Sequence, residues 1–345
     1  MAEHRIVVPG VVGSTPITHP TFSIMTNQND IFLGFDLGAS SVKYGYGNCQ
    51  LGLLSFDSQP FSEKSLSHFQ EVFARILAEV STQLGDRKLR AVGIGTPGTI
   101  DLASGRIIGT NPNLPFWTGH APAELLPPDL KLPVASDNDA NLMCLGEAWQ
   151  EFRRHKVVGI TIGSGIGSGF VDCLQIYHGS RGVAMELGHV TVEAQGALCG
   201  CDRRGCLEAY ASVDGIKARL REQLDPGLAK SIGLTGCNLR DLLRLPELKE
   251  EFEQARSRGM IHLAQAVANL ILVLDPDAVI FGGGGMDGGL YDINQLAAAI
   301  QEHLPAVNKA HTKLLKAKLG NRAGVWGAII LAQQLIKKQW EQNLH

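Results

Sequence analysis

The chain has 345 residues and a formal net charge of −3, with 31 Lys plus Arg against 34 Asp plus Glu. This balance excludes a strongly basic nucleic-acid coat and an acidic tail. A hydrophobic share of 44% and a charged share of 19% are typical of a folded protein and argue against disorder. The length predicts two domains or one large one. Glycine is in excess, at 40 residues, and its clusters mark where we expect chemistry.

No segment of the chain predicts export or membrane insertion. The most apolar run, residues 267–281, is interrupted by two aspartates and a proline, so we expect no membrane span. Residues 1–30 hold no long apolar stretch and predict a flexible N-terminal extension, with Met25 as an alternative start of translation. The seven cysteines are an odd number, and three lie within eight residues. They favour a metal site in a reducing compartment, here the cytoplasm, over a disulfide framework.

Apolar periodicity predicts alternating strands and helices along the chain. The predicted strands cover residues 31–36, 42–47, 51–56, 89–94, 134–136, 157–162, 170–176 and 278–281. The predicted helices cover residues 61–84, 137–152, 256–274 and 323–337. A strand, a glycine turn and a second strand occur twice, at residues 31–47 and 157–172, as a weak internal repeat. This pattern predicts an α/β protein of two lobes with a cleft between them.

The first glycine turn, residues 36–43 (DLGASSVK), directly follows a buried strand. Gly38 lets the backbone turn sharply and approach a ligand, and successive N–H groups with the hydroxyls of Ser40 and Ser41 can bind phosphate oxygens. Asp36 at the strand end can hold Mg²⁺ through water. A tight hairpin without any ligand also explains the glycine. The chain has no GxxxxGK[ST] motif, which argues against a P-loop enzyme.

A polar segment, residues 137–141 (DNDAN), lies at a predicted strand-to-helix junction. One Asp at a helix N-terminus needs only a structural explanation, because anionic residues cap and stabilise that end. Two Asp and two Asn are more than capping requires. A carboxylate beside phosphate-binding turns can take a proton from a hydroxyl nucleophile, so this segment is the candidate for the catalytic base.

Two further glycine clusters follow predicted strands. The second glycine turn, residues 161–169, has a G-x-G-x-G pattern, but the residues after it predict a strand where a dinucleotide-binding turn requires a helix. A phosphate-facing β-hairpin fits better, and a β-turn without a ligand stays an alternative. The third glycine turn, residues 282–285, is four glycines on which a flat ring such as adenine could lie. A plain flexible loop explains it nearly as well.

The most specific feature is the cysteine loop, residues 199–206, together with the preceding His189. Cys199, Cys201 and Cys206 supply three thiolates and His189 can supply an imidazole. A Cys₃His set suits a tetrahedral Zn²⁺ and fills all four positions, so the predicted zinc is structural. Two carboxylates flank this set and are suited to accept hydrogen bonds from sugar hydroxyls: Glu186 and Glu208.

These motifs together resemble sugar kinases of the ROK (repressor, open reading frame, kinase) family, most closely its zinc-containing bacterial glucokinases. The resemblance is carried by N-D-A-N at residues 138–141, E-x-G-H at 186–189 and C-x-C-x₄-C-x-E at 199–208, and it runs from about residue 31 to the C-terminal helix. It implies a two-lobed, actin-like sugar-kinase fold of the ribonuclease H-like type with a central cleft. The smaller lobe would contain residues 31–134 and 322–345, and the larger lobe residues 135–321.

The resemblance also implies an activity and a role for each matching residue. The implied reaction is ATP-dependent phosphorylation of a hexose, first of all glucose, at its C6 hydroxyl, with Asp139 as catalytic base. The implied substrate-binding residues are Gly98, Asn111, Asn138, Asp139, Glu186, His189 and Glu208. The implied contacts to ATP and Mg²⁺ are Asp36, Gly38, Ser40, Lys43, Thr161, Gly163, Gly165, Gly282, Gly283 and Gly284. The implied ligands of a structural Zn²⁺ are His189, Cys199, Cys201 and Cys206.

The sequence departs from the family pattern at two positions and leaves several alternatives open. Ala39 stands where a second glycine is usual, and Asp202 stands where a glycine often follows the second cysteine. N-acetylglucosamine, N-acetylmannosamine, fructose and mannose are alternative substrates, and a non-catalytic sugar-sensing regulator is the alternative of another class. A DNA-binding repressor is disfavoured, because no recognition-helix pattern or basic stripe is present. We expect a homodimer or a homotetramer that binds neither nucleic acid nor membrane.

Overall fold

The computed structural model describes residues 27–38, 40–109, 114–225, 227, 245, 248–309 and 311–343. Most of the predicted N-terminal extension, the departing Ala39 and the predicted sugar-binding Asn111 lie outside these residues. The predictions made for them therefore stay predictions.

The first sheet has five strands in the order β3-β2-β1-β4-β7. Their bounds are β1 Asp30–Leu37, β2 Ser41–Asn48, β3 Gly52–Pro60, β4 Lys88–Thr96 and β7 Val134–Asn138. β1 lies at the centre, antiparallel to β2 and parallel to β4. All but one of its residues are buried, which explains its continuous apolar run. Helix α1 (Leu66–Gln83) covers this sheet with six buried apolar residues at helical spacing: Phe69, Val72, Phe73, Ile76, Leu77 and Val80.

The second sheet also has five strands, in the order β10-β9-β8-β11-β12. Their bounds are β8 Lys156–Ile162, β9 Ile166–Asp172, β10 Gln175–Ile176, β11 Ala278–Gly282 and β12 Lys313–Lys316. Strand order and strand directions repeat those of the first sheet, with two antiparallel neighbours on one side and two parallel ones on the other. The weak internal repeat in the sequence is thus a duplicated sheet, and the predicted α/β fold of two lobes is confirmed.

Two helices join the lobes. Helix α2 (Asp139–Glu151) starts where β7 ends and packs on β8 and β9, and helix α8 (Ala323–Asn343) packs on β1, β4 and α2. The two helices cross so closely that a Cβ added at Gly327 would lie 1.9 Å from the Leu142 carbonyl oxygen. The predicted lobe boundary after residue 134 falls inside β7, which pairs with β4 along its whole length. The partition of the chain into lobes stays a proposal.

The remaining elements belong to small insertions and to the second lobe. They are β5 Thr99–Ile100, β6 Ile107–Ile108, α3 Glu208–Ala211, α4 Val213–Gln223, α5 Lys249–Leu274, α6 Gly284–Asp287 and α7 Ile293–Glu302. Among the described residues, α5 alone has the length and apolar composition to cross a membrane. Core helices of soluble proteins also have such a length and composition. Its apolar face, with Leu263, Val267 and Ile271, lies in the core of the second lobe, which explains that composition.

Candidate active site

A cavity of about 1040 Å³ lies between the two lobes, where the glycine turns of both sheets end. The predicted site residues that line it are Asp36, Gly38, Lys43, Gly98, Asn138, Asp139, Thr161, Gly163, Gly165, Glu186, His189, Cys199, Glu208, Gly283 and Gly284. Four predicted residues are described but do not line it: Ser40, Cys201, Cys206 and Gly282. The fold therefore gathers into one cavity residues from seven separate segments of the chain.

Asp139 is the first residue of α2, at the junction with β7. The side chain of Asn138 caps this helix, accepting hydrogen bonds from the N–H groups of Ala140 (2.9 Å) and Asn141 (3.3 Å). The Asn138 amide also donates to the carbonyl oxygen of Gly98 at 3.2 Å. Asn138 thus fixes the start of the helix against Gly98, which follows β4. This sets the direction in which the Asp139 side chain leaves the backbone.

The carboxyl group of Asp139 is a weaker acid than an ordinary aspartate. Burial, and after it the nearby carboxylate of Asp36, raises the pKa of Asp139 to about 7. A group with a pKa near the working pH is well matched to accept a proton and release it again. In an open, solvated turn, Asp139 would be ionised far below neutrality and would be a poorer base.

The first glycine turn places Asp36 and Lys43 opposite each other across the β1–β2 hairpin. Their side chains form an ion pair of 3.0 Å. The start of α8 closes over Asp36, because a Cβ added at Gly324 would lie 2.8 Å from the Asp36 carboxyl carbon. A mostly buried carboxylate at the cavity fits Mg²⁺, which needs few protein ligands and keeps several waters. Glycine at position 324 is required by this close approach.

The second glycine turn is a β-hairpin between β8 and β9, as predicted, and no helix follows it. The N–H group of Gly163 donates to the Gly165 carbonyl oxygen at 2.9 Å, and the N–H group of Ile166 donates to the Glu208 carboxylate at 2.8 Å. A Cβ added at Gly165 would lie 2.4 Å from the same carboxylate. The turn and the carboxylate expected to bind sugar are therefore in direct contact.

We expect Gly165→Ala to raise the KM for the sugar about 10-fold or more, since the new methyl group displaces the Glu208 carboxylate that would accept a sugar hydroxyl. Gly163→Ala is the matched variant in the same turn, because a methyl group there meets nothing within 4 Å. Steady-state kinetics with varied sugar at saturating ATP measures the difference. Equal sugar KM values for the two variants would contradict the contact.

In the third glycine turn, one glycine is required by the backbone conformation and another leaves an open surface at the cavity. Gly283 has φ +91°, and a Cβ there would lie 2.6 Å from the Ile162 carbonyl oxygen, so this position needs glycine for conformation and for space. Gly284 begins the short helix α6 and faces the cavity with nothing within 4 Å of an added Cβ. The segment is thus the ordered start of a helix, with an open surface on which a planar ring can lie.

The cysteine loop brings its ligands to one point. One atom each of His189, Cys199, Cys201 and Cys206 lies within 4.8 Å of the others. The imidazole Nδ1 of His189 is 3.7 Å from the Cys199 Sγ, and the Sγ atoms of Cys201 and Cys206 are also 3.7 Å apart. Ligands at the usual Zn–S and Zn–N distances stand about 3.5–3.8 Å apart in a tetrahedron. The four residues therefore fit one tetrahedral metal ion.

The backbone of the cysteine loop explains one departure from the family pattern. The N–H group of Asp202 donates to the Cys199 carbonyl oxygen at 3.0 Å and closes a tight turn. Asp202 itself has φ +63°, a left-handed conformation that glycine adopts freely and that Asp tolerates better than most residues. The aspartate therefore keeps the turn that brings Cys199 and Cys201 together.

Several residues at or beside the cavity are not among the predicted site residues. Gly320, Asn321 and Gly324 reach it from the C-terminal part of the chain, and no local motif marks them. Asp137 directly precedes the cavity-lining Asn138, and its carboxylate is 2.6 Å from His178 Nε2. Asp137 belongs to the polar segment at residues 137–141, so the sequence pointed to its neighbourhood. His178 belongs to no motif, and sequence spacing could not reveal its role.

Comparison with known proteins places the chain in a family. The model of the ROK family matches residues 34–335. The chain belongs to the ROK family. The glucokinase of Thermotoga maritima is 30% identical over 88% of this chain and 98% of the relative, and the N-acetyl-D-glucosamine kinase of Photobacterium profundum is 30% identical over 87% and 99%. The ROK family glucokinase of Streptomyces griseus, solved with glucose and AMPPNP, superposes with a TM-score of 0.71 at 26% identity, covering 88% of this chain and 99% of that one.

Proposed function

We propose that this ROK protein is an ATP-dependent hexose kinase that phosphorylates the C6 hydroxyl group, with glucose as the first candidate substrate. The observation that carries the proposal is the position of Asp139, a carboxyl group with a pKa of about 7 in a cavity shared by glycine turns and sugar-type hydrogen-bond acceptors. The similarity to a glucokinase and to an N-acetylglucosamine kinase supports the same reaction class.

In the proposed reaction Asp139 accepts the proton of the C6 hydroxyl group as that oxygen attacks the γ-phosphorus of ATP in line. Asn138 fixes the start of α2 and so holds the Asp139 carboxylate where the proton is released. Positioning and electrostatic stabilisation supply most of the acceleration in phosphoryl transfer, and N–H groups of the glycine turns at the cavity can donate to phosphate oxygens. The Asp139 proton then leaves to solvent before the next cycle.

Two metal ions complete the proposal. Asp36 would hold Mg²⁺, and when bound this ion neutralises charge on the phosphate groups. His189, Cys199, Cys201 and Cys206 would hold a structural Zn²⁺, since their spacing fits a tetrahedron. The Nδ1 atom of His189 faces the sulfur atoms, so its Nε2 can meet a sugar hydroxyl in the cavity that His189 lines. The zinc would orient a sugar-binding imidazole rather than activate water.

The experiment that tests the function is a coupled assay of ADP formation with ATP, Mg²⁺ and a panel of glucose, mannose, fructose, N-acetylglucosamine and N-acetylmannosamine. Turnover of one sugar that is absent in the Asp139→Asn variant supports the proposed kinase activity and identifies the substrate. Sugar binding by calorimetry without turnover of any sugar favours the sugar-sensing regulator.

We also propose that the protein is cytoplasmic and forms a homodimer or a homotetramer. Light scattering of the purified protein tests the oligomeric state.

The pH dependence of the reaction follows from the raised pKa of Asp139. A base must be deprotonated to accept a proton, so we expect kcat/KM to rise with pH through about 7 and to fall about 10-fold per pH unit well below it. The measurement is kcat/KM for the hexose between pH 5 and 9 with the coupling enzymes in excess. A profile that stays flat down to pH 5 would show a base with an ordinary carboxyl pKa and would contradict the assignment.

A further inference from the structure

The loop of residues 178–186 connects the two lobes beside the cavity. It leaves the second sheet after β10 and lies against the first lobe, where a Cβ added at Gly182 would be 2.4 Å from the Ile100 carbonyl oxygen. At its end, Glu186 accepts a hydrogen bond from the Thr99 hydroxyl at 3.3 Å. At its start, His178 Nε2 contacts the Asp137 carboxylate at 2.6 Å. The loop is therefore held to the first lobe at both ends and in the middle.

Asp137 holds the start of this loop. It is 5% exposed, and its Oδ1 accepts hydrogen bonds from the Asn138 N–H group and the Asn141 side-chain amide, both at 2.8 Å. Its Oδ2 is left for His178. An ionised carboxylate only accepts hydrogen bonds, so the His178 Nε2–H group donates, and this bond raises the pKa of His178. Neither Asp137 nor His178 lines the cavity, so neither is placed to touch a substrate.

We propose that Asp137 and His178 are positioning residues whose hydrogen bond sets the proposed base Asp139 and the sugar-side Glu186 relative to each other. Asp137 comes two residues before Asp139 and holds the start of α2, while His178 begins the loop that ends at Glu186. A short hydrogen bond to a charged, buried acceptor is among the stronger contacts that can join two lobes. The inference rests on the proposed kinase function, because it assigns Asp139 and Glu186 the roles given there.

The test uses two replacements of His178 that differ in where they carry an N–H donor. In His178→Gln the side-chain amide can reach the position of Nε2, and in His178→Asn it cannot. We expect His178→Asn to lower kcat about 10-fold and to raise the hexose KM, with the ATP KM unchanged. We expect kcat and the hexose KM of His178→Gln to stay within about 3-fold of those of the unmodified protein. Rates are expressed per active site, counted by the stoichiometry of hexose binding, so that partial unfolding does not enter kcat.

His120→Gln is the matched control, because the His120–Glu124 pair has the same 2.6 Å length and its histidine is as exposed as His178, but the pair does not line the cavity. His120 contacts the Glu124 carboxylate through Nδ1, so the glutamine side chain does not replace this hydrogen bond. We expect the kinetics of His120→Gln to equal those of the unmodified protein.

Equal kcat and KM values for His178→Asn and the control would overturn the inference without contradicting the proposed kinase activity. If the unmodified protein phosphorylates no hexose, the proposed function fails by itself. Calorimetry then still tests the pair, which predicts weaker hexose binding in His178→Asn alone.

Discussion

Replacing Asp139 by Asn is expected to lower kcat by about 10²–10⁴-fold, the usual contribution of a general base. The amide keeps the size of the carboxyl group but cannot accept the hydroxyl proton. The fold is expected to remain intact, because the raised pKa means that folding disfavours the ionised form of this group. Such a group gives stability at low pH that is lost as pH rises through about 7, so the variant should be at least as stable as the unmodified protein at pH 8.

Two measurements and a control variant separate this outcome from a general loss of structure. Calorimetry is expected to give a hexose affinity within a few fold of the unmodified protein, and thermal unfolding at pH 6 and pH 8 reports stability. Asp292→Asn is a matched control, because Asp292 also stands at a helix N-terminus, where it accepts bonds from the N–H groups of Asn294 and Gln295, but does not line the cavity. Turnover near that of the unmodified protein in Asp139→Asn would remove Asp139 as the base.

Replacing Cys201 by Ser is expected to reduce bound zinc from one equivalent to well below one and to weaken hexose binding. The loss of one thiolate from a four-ligand site leaves a weak site, and metal-dependent segments lose their fold with the ion. The hexose is affected because His189 would no longer be held between the metal and the sugar. We expect a rise of about 10-fold or more in the hexose dissociation constant, with zinc measured by elemental analysis and affinity by calorimetry.

Cys201 is the most informative of the three cysteines for this test. It is partly exposed, whereas Cys199 and Cys206 are buried, so serine there changes packing least. Cys173→Ser is the control, since Cys173 is also partly exposed and lies outside the Cys₃His set. This variant is expected to retain zinc and hexose affinity. A full equivalent of zinc in Cys201→Ser together with unchanged hexose affinity would reject the ligand assignment.

The fold class and most strand positions could be predicted because they depend on local pattern, whereas the short strands β5, β6 and β12 were not predicted. Buried parallel strands are apolar throughout, and the glycine turns that end them are visible as clusters. Helix ends were predicted less well. Helix α1 begins at Leu66 rather than at residue 61, because the Phe61 N–H group donates to the Ser40 carbonyl oxygen and Ser65 caps the helix. Helix α5 begins at Lys249 rather than 256, because its first turns are largely charged and hide the apolar period.

The sequence by itself determined the class of fold, the glycine turns and the three cysteines of the Cys₃His set, because turn chemistry and ligand spacing act over a few residues. Only the tertiary structure decided which distant residues meet. Gly324 leaves room for the Asp36 carboxylate, and His178 reaches Asp137 from the other lobe. The raised pKa of Asp139 likewise depends on burial and on Asp36, both products of the packed cavity. Such contacts follow from how the two sheets and their connecting helices are arranged, which no local pattern encodes.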